Sequence, residues 1–156
     1  MKQRFASSPV GVVHFAMAFF IVFNLLSGLV NLYIHYIPVL AAVHFYTGLA
    51  ILGAPLVALV FLKERKAALK GLLYMALPRK ALWKAGKQVL FFARLAGSIA
   101  FLLVLCNMVT GILMKVDMLS VAAAYNVHTA LFVAMLALIP LHVILMVIAR
   151  SRQAGV

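Results

Sequence analysis

The sequence predicts an all-α integral membrane protein: a four-helix bundle running up, down, up and down, with both termini in the cytoplasm. Three observations predict it. Of the 156 residues, 67% are hydrophobic and only 10% charged, with a mean hydropathy of +1.17; a soluble domain is about half apolar and about a quarter charged. Four apolar stretches meet the length of about 20 residues that a bilayer core demands. The charges are one-sided, fourteen Lys and Arg against two acids, and they cluster outside those stretches. So short a chain has too much surface to hide this apolar excess in its own core, which excludes a soluble globular domain. A disordered basic tail is excluded as well, because it needs low hydrophobicity.

The first stretch, Val10–Tyr33, is too long for a signal peptide and reads as a permanent span. The second runs over Leu40–Leu62, the third over Val89–Met114 and the fourth over Val121–Ala149. The links at 34–39 and 115–120 are short, which forces the helices they join to run antiparallel. The link at 63–88 is longer but leaves no room for a soluble domain, so residues 1–156 form one transmembrane domain.

Orientation follows from the charges. Lys2 and Arg4 precede the first span, Arg150 and Arg152 follow the last, and the long link carries Lys63, Arg65, Lys66, Lys70, Arg79, Lys80, Lys84 and Lys87 against Glu64. The other face has Lys115, balanced by Asp117. Excess Lys and Arg mark cytoplasmic loops, so both termini and the long link are expected inside, in the cytoplasmic (inner) membrane of a cell. The net charge of +12 then reads as topology and contact with anionic lipid rather than as a nucleic-acid surface.

Ionisable side chains within spans are costly and mark function. His128 and His142 are fourteen residues apart in the fourth span, about 1400° of helix, within about 40° of four turns, and about 21 Å along the axis. They share a face and are too far apart for one metal. The topology puts His14 of the first span at the depth of His142, near the cytoplasm. It puts His44 of the second span at the depth of His128, near the outer face. Two cross-helix pairs result, His14/His142 inside and His44/His128 outside. Paired imidazoles in an apolar bundle suit axial ligation of two b-type haems; a zinc site needs further ligands that neither pair has nearby.

Other residues have weaker readings. His35 lies between Tyr33 and Tyr36 in an aromatic-belt setting, where interfacial anchoring is preferred; a propionate contact, or replacement of His44 as ligand, are its alternatives. Gly28, fourteen residues after His14, and Gly111 in the third span let a haem or a neighbouring helix approach the backbone. Pro140, two residues before His142, is placed to kink the helix and aim that imidazole. Arg94 is the one charge inside a span. It either pairs with a haem propionate or a quinone, or snorkels to the interface. Cys106 is the single cysteine, so no disulfide forms within the chain, and a small buried residue is expected there.

The segment from His14-Phe15 through Ala18-Phe19-Phe20 to Leu25-Leu26-Ser27-Gly28-Leu29 resembles the first span of the membrane cytochrome b subunits of respiratory formate dehydrogenases and nickel–iron hydrogenases. The fourth span, with its two histidines, resembles the formate dehydrogenase γ subunit in particular. Trp83-Lys84-Ala85-Gly86-Lys87-Gln88-Val89-Leu90-Phe91-Phe92 is similar to that family's Tyr-Asn-Ala-Gly-Gln-Lys stretch, which lines a menaquinone site. Lys84 stands where the family has Asn.

The resemblance implies two haem b groups and an exchangeable quinone, menaquinone or ubiquinone, near Lys84 and Gly86. It also implies an iron–sulfur partner subunit at the outer face and a catalytic dehydrogenase or hydrogenase subunit beyond it. On this reading the chain carries electrons across the membrane and has no substrate-oxidising site of its own. Two alternatives belong to other classes: a stand-alone quinol-oxidising cytochrome b that serves a diffusible acceptor, and a haem-free anchor or small transporter. The last would call for substrate-binding polar residues or broken, repeated helices, and neither is evident.

Overall fold

The computed structural model describes residues 9–34, 37–61, 80–84, 87–116 and 120–153, with the isolated positions 65–66, 69–70 and 77. Every regular element among the described residues is helical. They are α1 (Pro9–Leu29), continued by a π-helical turn over Val30–Ile34, then α2 (Pro38–Phe61), α3 (Lys80–Lys84), α4 (Gln88–Lys115) and α5 (Val121–Gln153). Among the described residues, three helical stretches are long and apolar enough to cross a membrane: Gly11–Tyr33, Gln88–Lys115 and Ala122–Arg152. Pro38–Gly53 is a shorter apolar stretch within α2.

The chain divides into two compact units, residues 1–73 and 74–156. In the first, α1 packs against α2, burying Val13, Leu25, Ser27 and Ile51. In the second, α4 packs against α5, with α3 resting on α4. The α4 side of that hairpin buries Ala93, Ala96, Ala100, Val104 and Asn107. Steps of three and four residues make one stripe, and its alanines let α5 come close. Lipid offers no hydrophobic drive between helices, so close backbone approach of this kind is what holds them.

On α5 the buried stripe includes Met135 and Ala149. His128 and His142 fall on the same seven-residue repeat, 128, 135, 142, 149. Fourteen residues come within about 40° of four turns, so both imidazoles stay on the α4-facing side, where Thr110 and Ala93 meet them. The α5 helix runs through Pro140 without a break, although a proline has no N–H to offer the carbonyl of Leu136.

Cys106 departs from expectation: it is exposed, not buried. Its neighbours on the stripe are Val104 and Asn107, and position 106 points away from α5.

Candidate functional site

In the first hairpin, α1 holds His44 of α2 by its ring nitrogen. Nδ1 lies 3.0 Å from the carbonyl oxygen of Asn24 and 3.1 Å from the hydroxyl of Ser27. The Ser27 hydroxyl donates back to the Asn24 carbonyl at 2.9 Å. A carbonyl only accepts, so Nδ1 carries the proton and Nε2 the lone pair. The Asn24 side chain completes the clasp, its Nδ2 donating to the His44 carbonyl and, at 3.1 Å, to the Thr47 hydroxyl. Gly48 accommodates it, since a Cβ there would come within 3.3 Å of Asn24 Nδ2.

The second hairpin holds two histidines. His142 Nδ1 donates to the carbonyl of Ala93 at 2.7 Å. His128 Nδ1 lies 3.0 Å from the Thr110 hydroxyl, which donates to the Asn107 carbonyl at 2.8 Å. With its one proton given to that carbonyl, the hydroxyl accepts from the imidazole. His128 therefore has the same tautomer as His44 and His142. This is how metal-ligating histidines are held: one N–H goes to a carbonyl or hydroxyl, and the other nitrogen stays a ligand of fixed direction.

A glycine faces each ring, and at Gly97 the ring needs it. A Cβ at Gly97 would stand 2.8 Å from Cε1 and Nδ1 of His142, closer than real Cβ contacts allow, whereas one at Gly111 would meet Cε1 of His128 at an ordinary 3.4 Å. Gly97 and Gly111 are fourteen residues apart, as are His128 and His142, so the antiparallel helices present the same contact at two depths. Gly111 was singled out by sequence. Gly97 was missed, and its spacing from Gly111 was the signal. Gly28 is half-buried in the last turn of α1.

His14 is exposed on α1, edge-on to Phe15 at 6.1 Å between ring centroids. The two expected pairs each join residues of different hairpins. Arg94, half-buried, directly follows Ala93, and its carbonyl accepts from Ser98 at 2.9 Å. It thus lies on α4 at the level of His142. At the start of α4, Trp83 packs edge-on against Phe91 and Phe92, at 5.7 and 5.6 Å. Lys84 ends α3, but its side chain, Gly86 and His35 lie outside the described residues.

The donor set fits haem b. His44, His128 and His142 each have an Nδ1–H oriented by an acceptor on the neighbouring helix, and Gly97 leaves space against one ring. Among the described residues, no three His, Cys, Asp or Glu side chains gather to hold a bare metal ion.

Comparison with known proteins places most of the chain: the family model described as prokaryotic cytochrome b561 matches residues 6–155. No curated protein and no solved structure matches the chain.

Proposed function

The chain belongs to the prokaryotic cytochrome b561 family and is a membrane haem b electron-transfer protein, and on that premise we propose how its residues divide the work. Four spans run up, down, up and down across the inner membrane, with both termini and the basic 63–88 link in the cytoplasm. As a 24-residue helix, α2 extends about 36 Å, enough for a bilayer core of about 30 Å. His14 and His142 hold one haem near the cytoplasmic face; His44 and His128 hold the second near the outer face. The observation that carries this reading is the shared tautomer of His44, His128 and His142, each set by an acceptor on the adjacent helix.

Haem b with two histidine ligands supplies one-electron exchange and leaves no open iron position for oxygen or substrate. The protein's own contribution is to aim the imidazoles, keep water from them and offer Arg94 as a counter-charge at the inner level. The stretch from Trp83 through Lys84 and Gly86, before the third span, is assigned to quinone binding on the cytoplasmic side, and quinol protons are drawn from that side. Electrons reach the outer face from an iron–sulfur subunit whose catalytic partner is a dehydrogenase or hydrogenase, as in formate dehydrogenase-like complexes. In the alternative, the chain works alone between quinol and a diffusible acceptor.

A reduced-minus-oxidised spectrum with haem quantification tests the core of this reading. Two b haems per chain are expected; one or none refutes it. Co-purification of an iron–sulfur subunit separates the complex from the stand-alone form.

A further inference from the structure

The two hairpins carry the same five-residue device. Asn24-Leu25-Leu26-Ser27-Gly28 on α1 and Asn107-Met108-Val109-Thr110-Gly111 on α4 both read Asn-x-x-Ser/Thr-Gly. In each, the hydroxyl donates to the Asn carbonyl three residues back, at 2.9 and 2.8 Å. In each, the same hydroxyl oxygen lies against Nδ1 of a histidine on the following helix, at 3.1 and 3.0 Å. Helix-interior Ser and Thr commonly bond back to their own backbone. Here the back-bond has a consequence: it orients the hydroxyl lone pairs at the ring.

His44 Nδ1 also lies 3.0 Å from the Asn24 carbonyl itself, so Ser27 shares that ring with a backbone acceptor. The third anchored histidine, His142, meets the backbone carbonyl of Ala93. Asn107, fourteen residues after Ala93, offers the matching carbonyl at the other depth, and there Thr110 stands between carbonyl and imidazole.

We propose that Ser27 and Thr110 are paired positioning residues for the two ligands of the outer haem: Thr110 fixes the tautomer and ring plane of His128, and Ser27 sets the ring plane of His44, whose tautomer the Asn24 carbonyl also fixes. The proposal rests on reading those histidines as ligands. An acceptor on Nδ1–H makes an imidazole a stronger donor to iron, which favours the ferric state. Removing the hydroxyl weakens that donation and raises the midpoint potential of the haem concerned. Releasing the ring plane also moves the low-spin ferric electron paramagnetic resonance signal, which depends on how the two imidazole planes are set.

The test uses the full haem-loaded chain in lipid nanodiscs, as wild type, Thr110→Val, Thr110→Ser and Ser27→Ala. Potentiometric titration and the ferric resonance spectrum are read for each. Thr110→Val is expected to raise the potential and shift the signal of one haem and leave the other unmoved. Ser27→Ala should shift the signal of that same haem, and Thr110→Ser should restore wild-type values.

Two results overturn the proposal: wild-type potentials and signals in Thr110→Val, or changes in different haems for the Ser27 and Thr110 variants. Should Thr110→Val lose the haem, Thr110→Ser decides: retention with wild-type signals supports the hydroxyl's role, and loss in both overturns it. A wild-type chain with fewer than two haems overturns the underlying reading itself, which distinguishes that failure from the others.

Discussion

The Nδ1 of His142 lies 2.7 Å from the carbonyl oxygen of Ala93, on a helix it could approach so closely only because residue 97 is glycine. Ala93 is fully buried, and a Cβ on Gly97 would stand 2.8 Å from two atoms of the ring. The imidazole therefore lies close against α4 with Nδ1 held by the backbone, an acceptor that substitution of the Ala93 side chain does not remove.

Gly97→Ala should push the His142 ring off α4. Overpacking of this kind costs about 1–3 kcal/mol, and the expected result is loss or weakened binding of one haem with the other retained. Gly111→Ala, where the added Cβ meets His128 at van der Waals distance, should keep both. A pyridine haemochrome assay on the two purified variants checks the contrast.

Asn24→Leu removes two hydrogen bonds from the α1–α2 clasp, those to the His44 carbonyl and the Thr47 hydroxyl. Interhelical hydrogen bonds in membranes average about 0.6 kcal/mol each, so a destabilisation of about 1 kcal/mol is expected. Thermal or denaturant unfolding in detergent measures it, and an unchanged midpoint would show that the clasp adds nothing to stability.

The quinone reading predicts that Lys84→Met slows quinone turnover about tenfold, the effect of about 1.4 kcal/mol in transition-state binding, with both haems intact. Lys84→Asn, the residue type of the resembled family, should be closer to wild type. Steady-state reduction of a water-soluble quinone analogue checks this; equal rates in all three forms would move the site elsewhere.

Cytoplasmic termini predict that alkaline phosphatase fused at Val156 is inactive and that the same enzyme fused within the 117–119 link is active. The reverse pattern would invert the orientation and exchange the inner and outer pairs.

Hydropathy made much of the helical framework legible, because spans are long and their apolar content is not subtle. Its boundaries mark where lipid ends, not where hydrogen bonding ends: α5 runs on to Gln153, past the expected Ala149, since Arg150 and Arg152 continue the helix into polar surroundings. The π-helical turn at Val30–Ile34 left no trace in an apolar run. The histidines stood out as costly residues in lipid, but their partners did not. Ala93 acts through its carbonyl, which every residue possesses, so its side chain gave no hint. Asn24, Ser27, Asn107 and Thr110 are single polar residues that window averages absorb, and only the repetition of Asn-x-x-Ser/Thr-Gly could have exposed them. Cys106 was expected inside on residue type alone, whereas its phase on α4 decides that it is exposed.

In the proposed arrangement four histidines hold two haems as His14/His142 and His44/His128. Haem stoichiometry and ferric resonance spectra of the four single His→Ala variants test that pairing. Two phenotypes are expected: His14→Ala and His142→Ala lose or alter one haem, and His44→Ala and His128→Ala lose or alter the other. Loss of the same haem in His128→Ala and His142→Ala, or retention of both haems in any one of the four, would contradict it.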